Sequence, residues 1–315
     1  MVADETTAAP QAVFGLDIGA SASVAARDDG EVCRNELGGH KTATMLAFTD
    51  GCRQIGEAAL LAARSRLGAL GRVAMVPHAT MAQSAEAHHW PLPCTARDDG
   101  LCEFESAGES YSGVALLGAL LGKLRRTSDE SGEVTRAAFA LPPLTPATAS
   151  ADERAAALAF ARGALADAAA IGGWSALAMP TAAEAAAEAL ARKYPRAKAG
   201  EPNPDLHVLL VDMGLSSTTV SLVHLSDQVA EKPEDSRWVP SVLASFDEVS
   251  LGCADFDSAL FEHFSTAIAA KHGQPIKGGS RAGARHKKTK LLEGCERVNV
   301  CLGFPPPLSN ARGGC

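Results

Sequence analysis

Two short segments of the chain place an aspartate, a glycine and hydroxyl side chains directly after an apolar run. The first segment includes Asp17 and Gly19, and the second includes Asp212 and Gly214. Each pattern predicts a buried strand, a tight turn and a returning strand. Two such hairpins in one chain predict two similar lobes that face one site.

The residue types in these turns suit phosphate and metal chemistry. A glycine lets the backbone approach a ligand closely, and successive backbone N–H groups form a concavity for phosphate oxygens. Asp17 and Asp212 repel phosphate, but their carboxylates can hold Mg²⁺ through its water shell. Phosphoryl transfer needs mainly positioning and charge neutralisation, which such a site supplies. The competing interpretation is that Asp-x-Gly is an ordinary hairpin turn with no ligand.

Five co-linear segments resemble motifs of the nucleotide-binding domain of the Hsp70 heat-shock chaperone family. They are Gly15–Gly19, Thr42–Asp50 with Ile55–Ala59, Pro180–Ala183, Leu251–Asp257 and Cys295–Arg297. The second hairpin is closer to the Hsp110 branch of the family, whose members are larger. The resemblance implies an α/β chain with the actin-like, ribonuclease-H-like ATPase fold, in which two lobes surround a nucleotide cleft.

The resemblance also gives the expected domain organisation, which has five parts. They are a disordered N-terminus (1–11), lobe I (12–195), a linker (196–205), a partial lobe II (206–303) and a disordered tail (304–315). Family members continue with the rest of the second lobe and a peptide-binding β domain. We therefore expect an incomplete second lobe with exposed sheet edge and apolar surface.

The site implied by the resemblance holds ATP or ADP and Mg²⁺ between the two hairpins. Asp17 and Asp212 are the candidate catalytic and metal-binding residues, because both would hold the water shell of the metal around an in-line attacking water. The implied cofactor-binding residues lie in the two turns, at the start of one helix and in the last helix. They are Gly19, Ala20, Ser21, Gly214, Leu215, Ser216, Ser217, Gly252 and Glu296.

Departures from the family pattern remove charge from this site. Leu67 occupies the position of the family's catalytic lysine, ahead of the tetrad Ala69–Arg72, and Met179 occupies that of the hinge glutamate. We therefore expect weak or absent ATP hydrolysis. Four functions stay open: an ATP-binding chaperone that assists protein folding, a non-catalytic exchange partner of the Hsp110 type, an actin-like small-molecule kinase, and a non-functional fragment.

Composition limits the classes of partner and the cellular location that we expect. A net charge of −8 argues against nucleic acid, and the longest apolar runs are too short to span a membrane. The acidic N-terminus lacks the apolar core of a signal peptide, so we expect a cytoplasmic protein and leave a nuclear location open. The 8 cysteines are scattered without a C-x-x-C pair, which is typical of neither a disulfide framework nor a zinc site. Expected partners are J-domain proteins, Hsp70 chaperones and, with a substrate domain, unfolded or nascent polypeptides.

The elements that must position the site follow from periodicity and capping signals. Capping boxes at Ser150 and Thr181 predict two alanine-rich helices, and residues 56–72 also look helical. Asp255 is the expected cap of a later helix. Its apolar stripe, which begins at Phe256, is expected to be core.

Overall fold

The computed structural model describes residues 13–49, 52–62, 66–67, 70–87, 94–106, 108–129, 131–196, 205–229, 236–273 and 282–303. The expected disordered segments 1–11 and 304–315 lie outside these residues, as does most of the expected linker. Among the described helices, none combines the length and the apolar character that crossing a membrane requires.

Residues up to 193 form the first eleven described strands and six helices. The strands are β1 (Phe14–Ile18), β2 (Ala22–Arg27), β3 (Thr42–Ala43), β4 (Leu46–Thr49), β5 (Cys52–Ile55), β6 (Arg66–Leu67), β7 (Thr95–Ala96), β8 (Cys102–Ser106), β9 (Glu109–Ser112), β10 (Arg136–Ala140) and β11 (Ser175–Ala178). The helices are α1 (Glu57–Leu61), α2 (Leu70–Met75), α3 (His78–Ala87), α4 (Gly113–Ser128), α5 (Ala151–Ile171) and α6 (Ala182–Lys193). The later elements are β12 (Leu206–Met213), β13 (Thr218–Gln228), β14 (Arg237–Glu248), α7 (Cys253–His272) and α8 (Ala282–Gly303).

The main sheet has the strand order β11-β10-β1-β2-β3. β1 runs parallel to β10 and antiparallel to β2. Successive side chains of a strand point to opposite faces, so Phe14, Leu16 and Ile18 are buried while Asp17 is exposed. Asp17 also lies near the carboxyl end of β1. Ligands bind at the carboxyl ends of strands in open α/β sheets.

The first hydrophobic core lies between this sheet and the helices α4 and α5. Phe139 of β10, Leu121 of α4 and Leu165 of α5 are fully buried in it. Trp174 packs edge-on against Phe139 and donates its indole N–H to the carbonyl of Leu121 at 3.0 Å. This core fixes β1, and with it the first hairpin turn.

Both predicted capping boxes are confirmed. The Ser150 hydroxyl accepts the N–H of Glu153 at 3.2 Å, and the Glu153 carboxylate accepts the N–H of Ser150 at 2.7 Å. Thr181 and Glu184 make the same reciprocal pair at the start of α6. These bonds satisfy N–H groups that a helix start otherwise leaves unpaired.

The prediction of one helix over residues 56–72 is wrong. α1 ends at Leu61, and the chain then forms β6, in which Leu67 lies opposite Leu46 of β4. Pairing with β4 replaces the local helical bonds by cross-strand ones, a long-range effect that alanine content does not signal.

A second, antiparallel sheet has the order β12-β13-β14, and α6 covers one of its faces. Val223 and Trp238 are buried there against Ala187 and Ala191. α6 precedes the expected linker in sequence, but its alanines complete the second core.

The opposite face of the second sheet carries large exposed apolar side chains. Leu209 and Val211 of β12 are each 63% exposed, and Phe246 of β14 is 56% exposed. The sequence analysis expected such apolar surface in this part of the chain, and the division of the chain into lobes stays a prediction. An exposed apolar face of this kind is typical of an interaction surface.

Two predictions for α7 need correction. The N-cap is Gly252, and Asp255 lies three residues inside, where its carboxylate accepts the N–H of Gly252 at 2.6 Å. In the apolar stripe, Phe261 is buried but Phe256 and Phe264 are 49% and 36% exposed. The stripe is therefore only partly core, because few described elements pack against this helix.

Candidate functional site

The first hairpin turn, residues 19–21, is closed tightly. A Cβ on Gly19 would lie 2.5 Å from the carbonyl oxygen of Ala22, so this position accommodates only glycine. The carbonyl of Ser21 accepts the N–H of Thr44 at 2.9 Å, which anchors the turn to the segment after β3. Ala20 is half-buried and Ser21 is exposed, so the Ser21 hydroxyl is available to a ligand.

The second hairpin turn, residues 214–217, is held by the start of α7. The turn closes through the N–H of Gly214, which donates to the carbonyl of Ser217 at 2.8 Å. The first two N–H groups of α7 donate to the turn, from Cys253 to the Gly214 carbonyl at 2.9 Å and from Ala254 to the Leu215 carbonyl at 2.8 Å. The helix N-terminus thus fixes two carbonyls of the turn.

This clamp decides where the N–H groups of the turn point. Since a trans peptide directs its N–H opposite its C=O, the N–H groups of Leu215 and Ser216 point away from α7. Two consecutive N–H groups on one side of a turn form an anion-binding concavity. Gly252 makes the close packing possible, because a Cβ there would lie 2.5 Å from the Leu215 carbonyl oxygen and 2.7 Å from the Ser217 nitrogen.

The two predicted aspartates occupy equivalent positions in the two hairpins. Asp17 and Asp212 each stand two residues before the turn glycine, and both residues keep contact with solvent. Packing around the Asp17 carboxyl group removes part of its hydration and raises its pKa, and the negative charge of Asp212 raises it further. The two carboxylates are therefore within electrostatic range of each other.

The donor set fits a hydrated magnesium ion. A divalent cation between Asp17 and Asp212 would remove their mutual repulsion, and carboxylate oxygens are the ligands that Mg²⁺ prefers. Within the part of the chain that the structure describes, no group of three or more His, Cys, Asp or Glu side chains could enclose a metal. Mg²⁺ at this position would therefore be held mainly through its water molecules.

Arg72 is a cleft residue that the sequence analysis did not select. The residue is 3% exposed, and its Nη1 donates to the hydroxyl of Ser216 at 3.2 Å, which joins α2 to the second hairpin turn. Burial lowers the pKa of Arg72. The sequence signal that could have identified Arg72 is the tetrad Ala69–Arg72, which follows the position of the family's lysine.

A second bridge joins the two halves of the chain. The N–H of Ala147, in the loop after β10, donates to the carbonyl of Asp247 at 2.7 Å. The carboxylate of Asp247 accepts the hydroxyl of Thr219 at 2.7 Å, directly opposite Asp212 in the sheet. Together with the Arg72 contact, this bridge holds the second hairpin against the first half.

The remaining predicted positions are Leu67, Met179 and Glu296, and no contact of theirs with the two turns is shown within the described residues. Leu67 belongs to β6, and Met179 packs against the first core. Glu296 is exposed on α8, where its charge and that of Asp257 add to burial in raising the pKa of Cys295. The role of Glu296 in binding stays a prediction.

A separate depression is present on the first half of the chain. It has a volume of about 460 Å³ and is lined by residues that include Arg53, Gly118 and Arg125, with no residue of either turn.

Comparison with known proteins gives one consistent result. The profile of the family described as "Hsp70 protein" matches residues 13–303. The "Heat shock 70 kDa protein" of Emericella nidulans is 28% identical over 313 residues, which cover 91% of this chain and 42% of the relative. The "Putative heat shock 70 kDa protein 7" of Homo sapiens is 26% identical and is covered over 72% of its length. A "Ribosome-associated molecular chaperone" of Eremothecium gossypii is 27% identical, with 85% of this chain and 41% of the relative covered. The chain thus spans about two fifths of the fungal relatives.

Proposed function

Since the chain belongs to the Hsp70 family, whose nucleotide-binding domain has the actin-like ATPase fold, we propose that it binds ATP or ADP with Mg²⁺ between its hairpin turns. In this role it would be the nucleotide-binding module of a chaperone. The observation that carries the proposal is the matching place of Asp17 and Asp212, each two residues before the turn glycine of its hairpin, in two halves that the Arg72–Ser216 hydrogen bond joins.

Each part of the cleft has a distinct task in binding. Asp17 and Asp212 would hold the water shell of the metal, which would supply charge neutralisation at the phosphates. The N–H groups of Leu215 and Ser216 bind phosphate oxygens on the side of the turn that faces away from α7. The tight turn at Gly19 brings the first hairpin backbone within reach of the same phosphates.

We propose that hydrolysis is slow or absent. The apolar residues Leu67 and Met179 cannot stabilise charge on a transferring phosphoryl group, and Met179 packs into the core. These two positions favour the second candidate function, a non-catalytic partner that binds nucleotide and promotes exchange on another Hsp70 chaperone. J-domain proteins, and unfolded polypeptides where a substrate domain is present, are the proposed partners, and the cytoplasm is the proposed location.

Binding and turnover measurements test this function. Mg²⁺-ATP affinity is measured by calorimetry for the wild type, Asp17→Asn and Asp212→Asn, with Asp167→Asn on the exposed side of α5 as the matched control. We expect about tenfold or greater weakening in the first two variants and none in the control. Equal affinity in all four proteins would remove the proposed site.

Steady-state ATP hydrolysis, with and without a J-domain protein, separates the candidate functions. Stimulated turnover supports a chaperone ATPase, and binding without turnover supports the exchange partner. Phosphorylation of an added sugar or of acetate would instead support a small-molecule kinase.

A further inference from the structure

Resting on the proposed function, we infer that Arg72 is a phosphate-binding residue of the cleft. Its guanidinium would bind a nucleotide phosphate that lies over the second hairpin turn. No comparison assigns this role to Arg72, and the family resemblance contributes only its place at the end of the tetrad.

The first argument is that Arg72 is a buried cation with an incomplete set of partners. Only 3% of the residue is exposed, and its Nη1 donates to the neutral hydroxyl of Ser216. Its Nε is buried and has no hydrogen-bond partner among the described residues. Among the described residues, no carboxylate forms an ion pair with Arg72, and loss of hydration lowers its pKa.

The second argument concerns the kind of ligand that would pair with a buried guanidinium. A buried charge is costly unless it is paired and hydrogen-bonded, and one bond to a hydroxyl does not neutralise it. Guanidinium presents a planar fork of N–H donors that matches the oxygens of phosphate. An anion with several acceptor oxygens therefore fits Arg72 better than a neutral ligand.

The third argument is position. The bond to the Ser216 hydroxyl places the guanidinium at the same turn whose Leu215 and Ser216 N–H groups point away from α7. A phosphate bound by those N–H groups would lie beside Arg72. The cation would also offset the two negative charges of Asp17 and Asp212 in a cleft whose family lysine position is Leu67.

The competing role for Arg72 is a latch that only ties the two halves together through Ser216. A latch and a phosphate ligand differ in what their removal does to different ligands. Loss of a phosphate ligand weakens ATP and free polyphosphate but leaves adenosine unchanged. Loss of a latch weakens binding of all ligands that need the closed cleft, and Ser216→Ala should then have the same effect.

The experiment measures dissociation constants for Mg²⁺-ATP, tripolyphosphate and adenosine by calorimetry. The proteins are the wild type, Arg72→Met, Arg72→Lys, Ser216→Ala and the control Arg192→Met, which alters an exposed arginine of α6. We expect Arg72→Met to weaken ATP and tripolyphosphate by about ten- to a hundredfold, the scale of one charge-assisted hydrogen bond, and adenosine by less than about twofold. Arg72→Lys should recover part of the loss, and Ser216→Ala should have a smaller effect than Arg72→Met.

The outcomes separate this inference from the proposed function. Tripolyphosphate binding that is unchanged in Arg72→Met, or an equal loss for all three ligands in Arg72→Met and Ser216→Ala, overturns the phosphate role. If the wild type binds tripolyphosphate through Arg72 but not ATP, the inference stands and the proposed function fails. If the wild type binds neither, both fail. Arg72→Met should fold, because it replaces an unpaired buried cation with an apolar side chain of similar length, and circular dichroism checks this.

Discussion

The lost hydration of the Asp17 carboxylate, together with its repulsion from Asp212, predicts that the ligand-free protein becomes more stable when either carboxylate is removed. The pKa of Asp17 is raised, so the folded chain binds its proton more tightly than the unfolded chain does. Stability therefore falls as the pH rises from the unfolded pKa through the folded one, and the loss is complete above the folded pKa. Asp17→Asn removes this loss at neutral pH.

The size of the stability change depends on the solvent exposure of the two carboxylates. Both carboxylates are exposed, so solvent screens their repulsion to the scale of surface charge pairs, about 0.2–1 kcal/mol. For a chain of this length that corresponds to a rise in Tm of up to about 2 °C in Asp17→Asn at pH 7 without Mg²⁺. The gain should shrink as the pH is lowered and Asp17 of the wild type takes up its own proton, and the part that comes from repulsion should also shrink at about 1 M salt.

Thermal unfolding of the wild type and four variants measures this prediction. Asp17→Asn, Asp212→Asn and the double variant are compared with the control Asp167→Asn at pH 7 and at acidic pH. Because a single repulsion is removed in each case, the double variant should gain less than the sum of the two single variants. Fully additive gains, or a gain that persists unchanged at acidic pH, would show that the two carboxylates do not interact.

Two further predictions concern the packing that holds the site and the open face beside it. Gly252→Ala should lower the free energy of unfolding by about 1–3 kcal/mol and weaken nucleotide binding, because its Cβ would overlap the Leu215 carbonyl. In urea titrations, Gly163→Ala, whose Cβ meets open space in α5, should instead stabilise by up to about 1 kcal/mol, and similar effects in both variants would contradict the role of Gly252. Val211→Glu, on the exposed apolar face of the second sheet, should reduce self-association in sedimentation velocity with little change in Tm, whereas unchanged association would exclude this face as the contact.

The features that the sequence predicts well depend on neighbouring residues. The first hairpin, which carries Asp17, follows from an apolar run and a turn signal, and the start of α5 follows from the spacing of Ser150 and Glu153. These signals succeed because the hydrogen bonds that define them join residues only a few positions apart.

The features that the sequence misses depend on distant contacts. The contact between Arg72 and Ser216 joins residues 144 positions apart, and no local pattern reports it. The strand that contains Leu67 forms only because β4 is available to pair with it. The cap of α7 shifts from Asp255 to Gly252 because the turn of the second hairpin packs against the start of that helix. In each case a tertiary contact decides between local alternatives.

A site can bind ATP without hydrolysing it when its contacts with the phosphates do not become stronger in the transition state. The backbone N–H groups of the turns and the metal held by Asp17 and Asp212 would contact phosphate oxygens already present in bound ATP. Only interactions that are stronger in the transition state than in the ground state accelerate a reaction. At the two family positions that carry charge for that purpose, this chain has Leu67 and Met179. Arg72, fixed by Ser216 beside the turn, would add affinity for the phosphates in both states. Under the proposed function, this arrangement would bind nucleotide without hydrolysing it efficiently.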